Sequence, residues 1–87
     1  MMTPYERSDI IHIMKINRFT LIDSDTAHLW FNSQGKGIDY QITIQIAEDL
    51  PRVSIEQNGR MVYDETVKSI DDLKIFLEER LYKYLEI

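Results

Sequence analysis

Residues 38–63 read IDYQITIQIAEDLPRVSIEQNGRMVY, and this stretch carries the signals that decide the fold. Apolar and polar residues alternate without a break over Ile38–Ile46, which predicts a strand with one buried face. Arg52–Gln57 forms a second strand, and Asn58-Gly59 is the dipeptide preferred in a two-residue type I′ turn. A further strand therefore returns from Arg60, and the sheet is antiparallel.

A two-residue turn also fixes the register of this hairpin. The predicted pairs are Gln57 with Arg60, Glu56 with Met61, Ile55 with Val62, and Ser54 with Tyr63. Because successive side chains point to opposite faces of a sheet, Met61 and Tyr63 then lie on the face opposite to Val53, Ile55 and Val62.

The segments before this stretch predict further β-structure. In Thr26–Ser33, one set of alternate residues contains Ala27, Leu29 and Phe31, and the other contains His28, Trp30 and Asn32. This segment is therefore a strand with two usable faces. The following Gly35-Lys36-Gly37 supplies the backbone freedom of a tight reversal. Phe19–Ile22 is either a short strand or the start of the next one, and Asp23-Ser24-Asp25 predicts a turn because its side chains can accept hydrogen bonds from nearby backbone amides.

Two helices flank the strands. Thr3-Pro4-Tyr5-Glu6 has the residues of a capping box with proline at the first helical position, and Asn17 is the expected end. Its buried side comprises Ile10, Ile13 and Met14, with help from Ile11 or Ile16. Ser69-Ile70-Asp71-Asp72 opens the last helix with a serine cap and two acids. The buried stripe of that helix comprises Leu73, Phe76, Leu77, Leu81, Tyr84 and Leu85.

The order of elements predicts one α+β domain over residues 1–87. It is a two-layer fold of a helix, a three- to four-stranded antiparallel meander sheet and a helix, with both helices on one face of the sheet.

Composition narrows the setting of this domain. The chain has 87 residues, no cysteine and a net charge of −5. Without cysteine neither a disulfide scaffold nor a thiolate metal site is possible, and a reducing cytoplasm is expected. No apolar run approaches the roughly 20 residues of a membrane span, and the N-terminus lacks the features of a signal peptide. We expect a soluble cytoplasmic protein whose mature form is the whole chain.

The charge is unevenly distributed. Residues 1–43 carry five acids and four bases, whereas residues 44–87 carry ten acids and six bases. Nucleic-acid binding needs clustered Lys and Arg, and no three bases cluster here, so direct binding to nucleic acid is disfavoured. The acidity is first of all a common means of staying soluble, and the same charge would also attract a basic protein surface as partner.

No arrangement of residues predicts an active site, a metal site or a cofactor. His12 and His28 are 16 residues apart on different elements. A calcium loop starting at Asp23 fails because its sixth position, which requires glycine, is His28. We therefore expect a protein that is not an enzyme and binds no cofactor or metal.

The strongest candidate for binding is a patch on the sheet. The register places Trp30, His28, Met61 and Tyr63 on faces opposite to the residues assigned to the core, and Trp, Tyr and Met are enriched at protein interfaces. Alternatively, a register shift or exchanged faces on one strand would put Trp30 into the core.

Two resemblances bear on function. The helix–strands–helix order resembles the double-stranded RNA-binding domain, but Ser69-Ile70-Asp71-Asp72 stands where that family has a basic cluster, which argues against RNA binding. The chain also resembles the small acidic phage-encoded anti-CRISPR proteins. That resemblance rests on the helix Asp9–Asn17, on Phe19-Thr20-Leu21 directly after it, and on acids at Asp64, Glu65, Asp71, Asp72, Glu78 and Glu79.

The anti-CRISPR resemblance implies a stoichiometric inhibitor from a phage or mobile element, which covers a basic or nucleic-acid-binding surface of a host protein such as a CRISPR nuclease. The six acids steer association, and Trp30, Met61 and Tyr63 supply burial. The alternative is a homodimer in which Trp30 and Tyr63 form a two-fold sheet-face interface and the acids only solubilise the protein.

Overall fold

The computed structural model describes residues 3–35, 38–46 and 50–85, and these form an α+β fold with a five-stranded antiparallel sheet and two helices. The elements in chain order are α1 (Pro4–Ile16), β1 (Thr20–Ser24), β2 (His28–Gly35), β3 (Ile38–Gln45), β4 (Arg52–Gln57), β5 (Arg60–Thr66) and α2 (Ile70–Ile75). A π-helical turn, Phe76–Arg80, and a 3₁₀ turn, Leu81–Tyr84, continue α2.

The sheet is the predicted meander, with the strands in spatial order β1-β2-β3-β4-β5. The predicted count of three or four strands is wrong, because the segment Thr20–Ser24 is a strand of its own and pairs with β2. The reason lies in the turn that follows it. Asp25 Oδ1 accepts hydrogen bonds from the backbone N–H groups of Ala27 and His28, each at 2.7 Å, and so closes the reversal tightly enough for β1 to pair.

The turn at Asn58-Gly59 is confirmed. Asn58 has φ 50° and Gly59 has φ 83°, the positive values that a type I′ turn requires. The side chain of Asn58 also accepts a hydrogen bond from the backbone N–H of Asp39, which ties the turn to β3. The reversal predicted around Lys36 and Gly37 lies outside the described residues.

Helix α1 begins and ends as its sequence predicts. Thr3 Oγ1 accepts from the N–H of Glu6 at 3.1 Å, and the Glu6 carboxylate accepts from the N–H of Thr3 at 2.9 Å. At the other end Arg18 has φ 67°, and the N–H of Phe19 donates to the carbonyl of Met14 at 2.9 Å. This is a Schellman end with arginine at the position where glycine is usual.

The second helix departs from the prediction of one regular α-helix. After Ile75 the backbone widens into the π turn and then tightens into the 3₁₀ turn. The widened turn lies against the end of α1, where Asn17 Nδ2 donates to the carbonyl of Ile13 at 2.9 Å and to that of Leu77 at 3.5 Å. Leu77 and Leu81 are both buried.

One apolar core joins both helices to a single face of the sheet. The helices contribute the buried residues Ile10, Ile13, Met14, Leu73, Phe76, Leu77 and Leu81. The strands contribute Leu29, Phe31, Tyr40, Ile42, Ile44, Val53 and Ile55, which alternate along β2, β3 and β4. All of them except Tyr40 pair with one another across these strands. Both helices therefore cover the same side of the sheet, and the other side has no covering element among the described residues.

The register of the last hairpin corrects the sequence prediction. Glu56 pairs with Met61 as predicted, but a bulge follows, and Ile55 pairs with Tyr63 instead of Val62. Val62 is the extra residue and has no partner in the ladder. From this point on, every side chain of β5 lies on the face opposite to the predicted one.

Candidate functional site

The candidate site is the side of the sheet that the helices leave uncovered, which we call the open face. Its members either alternate with the core residues along β2, β3 and β4 or pair across the sheet with residues that do so. They are Thr20, Asp23, His28, Trp30, Asn32, Asp39, Gln41, Thr43, Gln45, Arg52, Ser54, Glu56, Met61, Asp64 and Thr66.

The open face is acidic. Four carboxylates, those of Asp23, Asp39, Glu56 and Asp64, share it with one guanidinium, that of Arg52. The remaining members are neutral at pH 7 when histidine is counted as neutral. The face therefore presents a net negative charge to any molecule that approaches it.

The charge of Asp64 is already compensated within the protein. Arg52 donates to both carboxylate oxygens at 2.7 Å, and Ser54 Oγ donates to Oδ1 at 3.0 Å. The hydrogen bonds from Arg52, followed by that from Ser54, lower the pKa of Asp64 below its usual value. Of the four carboxylates, Asp64 is thus the least available to a partner.

Trp30 lies on the open face in β2 and is partly exposed. Its ring stacks on that of His28 at a centroid distance of 5.0 Å and an interplanar angle of 16°. His28 Nδ1 is in turn 3.3 Å from Asp25 Oδ1. Hydrogen bonds from the N–H of Ala27 first, and then from His28, lower the pKa of Asp25. The turn that separates β1 from β2 thus supports one side of the indole.

Two polar side chains next to Trp30 can accept further hydrogen bonds. Asp23 is its direct cross-strand partner on β1, and among the described residues the Asp23 carboxylate accepts one hydrogen bond, from the N–H of Ser24 at 2.8 Å. Asn32 follows Trp30 on the same face, and its Oδ1 is buried without a hydrogen-bond partner among the described residues. Met61, at the edge of the same face, is 49% exposed.

Tyr63, which was predicted beside Trp30, lies on the opposite side of the sheet. The bulge at Val62 turns its ring toward the core, where it stacks on Phe76 at 4.9 Å and contacts Tyr84 at 4.6 Å. Burial, and then the nearby charge of Glu65, raise the pKa of Tyr63. The predicted Trp30–Tyr63 patch therefore does not form.

The other predicted acids also lie on the helix side. Glu65 is exposed at the edge strand, Asp71 and Asp72 are in the first turn of α2, and Glu78 and Glu79 are exposed on the π turn. Residues 68–85 carry four bases as well as four acids. This segment is consequently balanced in charge, and the six acids predicted to act together are divided between the two sides.

The open-face acids Asp23, Asp39 and Glu56 were missed in the sequence analysis. Asp39 could have been found because it is one of the polar residues that alternate with the buried residues of β3. When one face of a strand is buried, the residues of its other face are exposed to solvent or to a partner. Asp23 could not be assigned in this way, because a bulge between Leu21 and Asp23 breaks the alternation of β1.

A shallow groove lies between β5 and α2 on the helix side. It has a volume of about 390 Å³, and its walls include Tyr63, Ile75 and Phe76 together with the charged residues Glu65, Lys68, Asp72 and Arg80. Two acids and two bases line it, so the groove has no net charge and offers no preference for a charged ligand.

The described part of the chain contains neither a metal-binding cluster nor a membrane-spanning helix. Residues 3–35, 38–46 and 50–85 contain no group of three or more His, Asp or Glu side chains that could hold a metal ion. Within the same ranges, no helix has the length and apolar character needed to cross a membrane.

Comparison with known protein families, with curated proteins and with solved structures finds no match to this chain. The geometry of the open face is therefore the basis on which a function can be proposed.

Proposed function

We propose that this chain is a non-enzymatic binding module whose open face docks on a basic surface of another protein and competes there with nucleic acid. The supporting observation is the combination of four carboxylates, one guanidinium and the partly exposed indole of Trp30 on one uncovered face. A stoichiometric inhibitor of phage or mobile-element origin, acting on a protein such as a CRISPR nuclease, fits this chemistry.

The mechanism is competition by charge and shape. Carboxylates on the open face attract the Lys and Arg side chains that would otherwise contact phosphates, and this attraction accelerates encounter. Trp30 and Met61 then supply the apolar area that slows dissociation, since interface affinity resides mainly in a few aromatic or apolar anchors.

The helix side is a weaker candidate for the same role. Its acids are interspersed with Lys68, Lys74, Arg80 and Lys83, and Lys74 Nζ is already 3.1 Å from Asp9 Oδ2. Opposite charges interspersed on one surface largely cancel at a distance, so the helix side attracts a basic partner less strongly.

The alternative of a homodimer through the open face would bring the carboxylates of two copies against each other. That repulsion favours a basic partner over a second copy. Sedimentation distinguishes the two, because the alternative requires a stable dimer that Trp30→Ala dissociates.

The experiment measures association with a CRISPR nuclease, in its free and nucleic-acid-bound forms, at low and high salt. Two double variants remove the same number of charges: Asp23→Asn with Glu56→Gln on the open face, and Asp71→Asn with Glu78→Gln on the helix side. We expect the wild type to bind the free form with an association rate that falls with salt, and only the open-face variant to associate severalfold more slowly.

The opposite result, slowed association only in the helix-side variant, would place the site on the helices. If neither the nuclease nor another basic nucleic-acid-binding protein binds at any salt concentration, the proposed function is wrong.

A further inference from the structure

We propose that Trp30 and Asp23 together bind an arginine side chain of the protein partner, in an inference that rests on the proposed function. The guanidinium stacks on the indole of Trp30 and pairs with the carboxylate of Asp23. This places the recognition of the basic surface at one defined point of the open face.

The sheet register brings the two side chains together. Asp23 on β1 and Trp30 on β2 are direct cross-strand partners. Side chains in such pairs lie next to each other on the same face. A planar cation above the indole is therefore within reach of the carboxylate.

The surroundings hold the indole ready for stacking. His28 stacks on Trp30 at 5.0 Å, and Asp25 anchors His28 by its contact at 3.3 Å. One face of the indole is thus covered from within the protein, and the guanidinium stacks on the other. Little side-chain freedom is lost on binding, which favours affinity.

Among the described residues, the carboxylate of Asp23 takes part in no ion pair. The ion pairs of the described residues are His28 with Asp25, Arg52 with Asp64 and Lys74 with Asp9, and none of them includes Asp23. Neutral side chains, those of Asn32 and Thr43, neighbour Trp30 along its strand and across the sheet. An incoming guanidinium therefore meets attraction without displacing an internal base.

Arginine fits this geometry better than lysine. A guanidinium is planar, is weakly hydrated, and can stack on an aromatic ring while it donates to a carboxylate, whereas an ammonium is compact and strongly hydrated. Phosphate is excluded as the ligand because the nearest charged group is itself an anion.

The experiment uses intrinsic fluorescence, because Trp30 is the sole tryptophan of the chain. The probe is a blocked Gly-Arg-Gly peptide, and the matched control is Gly-Lys-Gly. We expect saturable change of Trp30 emission with the arginine peptide and at least a severalfold weaker response to the lysine peptide. Asp23→Asn should weaken the arginine response by about two- to fivefold, as expected for an exposed ion pair. Asp71→Asn should leave it unchanged.

A second measurement tests whether each variant is folded. Amide chemical shifts of Asp23→Asn and of Trp30→Leu report the fold, and the same shifts report binding of the peptide to Trp30→Leu. Equal responses to the two peptides, or no response to arginine in the folded wild type, overturn the inference.

The two proposals fail differently. If a basic protein binds through the open face but Asp23→Asn leaves its affinity unchanged, the arginine site is wrong and the proposed function stands. If no basic protein binds, the proposed function is wrong whatever the peptide does.

Discussion

Deleting either of two neighbouring residues of β5 provides a direct test of the register that separates Tyr63 from Trp30. Val62 has no partner in the ladder, and Tyr63 pairs with Ile55. Deleting Val62 therefore removes the bulge while the pairs on both sides of it are kept. Deleting Tyr63 also keeps those pairs, but it places Val62 where the tyrosine ring had been.

The expected magnitudes follow from what each residue contacts. Val62 is 36% exposed, so its deletion forfeits about 1–2 kcal/mol of apolar burial. Ordering one residue fewer returns about 1–2 kcal/mol of backbone entropy, and the net change should be within about 1 kcal/mol. Deleting Tyr63 removes ring contacts with Phe76 at 4.9 Å and Tyr84 at 4.6 Å. Each ring pair contributes about 0.5–1.5 kcal/mol beyond burial, so deleting Tyr63 should cost about 1–3 kcal/mol more than deleting Val62.

The assay is urea and thermal unfolding of the wild type and of both deletions. A difference of about 2 kcal/mol between the deletions corresponds to roughly 8–16 °C in melting temperature for a domain of this size. Equal destabilisation by the two deletions would refute the reasoning, because in a hairpin without a bulge either deletion reverses the faces of all residues after it. Circular dichroism of both variants establishes that each one folds.

Four further substitutions test the stability of the fold. Hydrogen bonds from Arg52 lower the pKa of Asp64. The charged Asp64 carboxylate therefore stabilises the native state at pH values above the usual pKa of aspartate. This stabilisation is lost as the pH falls through the lowered pKa of Asp64. Asp64→Asn should therefore be less stable than wild type near neutrality and converge with it as the pH falls below the usual carboxyl pKa, and parallel unfolding curves would contradict this. Arg18→Gly should raise the free energy of unfolding by about 1 kcal/mol, and Gly59→Ala should lower it by about 1–2 kcal/mol, because each residue has positive φ. Ser69→Ala, which removes the acceptor for the N–H at the third position of α2, should cost about 1 kcal/mol in urea unfolding.

The parts of the fold that were predictable are those encoded by local signals. The capping box of α1, the Ser69 cap of α2 and the Asn58-Gly59 turn each depend on side chains within a few residues of one another, and all three are confirmed. The alternation of β3 was equally informative, because both of its neighbours in the sheet are antiparallel strands that bury the same face.

The features that could not be predicted depend on contacts between distant segments. A bulge in β5 is favoured when it lets Tyr63 join Phe76 and Tyr84, and neither ring is near it in sequence. The π turn is likewise placed beside Asn17, which is 60 residues from Leu77. Local propensity contains no information about either contact.

For the candidate site, the sequence predicted which types of residue take part, but it did not predict the face of the sheet on which each of them lies. Trp30 and Met61 lie on the open face as expected, whereas Tyr63 moves to the core through a shift of one residue. In a sheet, an error of one residue in the register moves every following side chain to the opposite face. Aromatic residues on a strand whose register is unknown therefore cannot be assigned to a common patch.

The edges of the sheet bear on how a partner can be bound. Both edge strands carry a bulge, between Leu21 and Asp23 in β1 and at Val62 in β5, and both have charged side chains. Bulges and charges at an edge hinder the addition of another strand, because they bend the ladder and place unpaired charges beside it. Association by backbone pairing is therefore disfavoured at both edges. The helix side is balanced in charge, so the side chains of the open face are the part of this surface best able to select a basic partner.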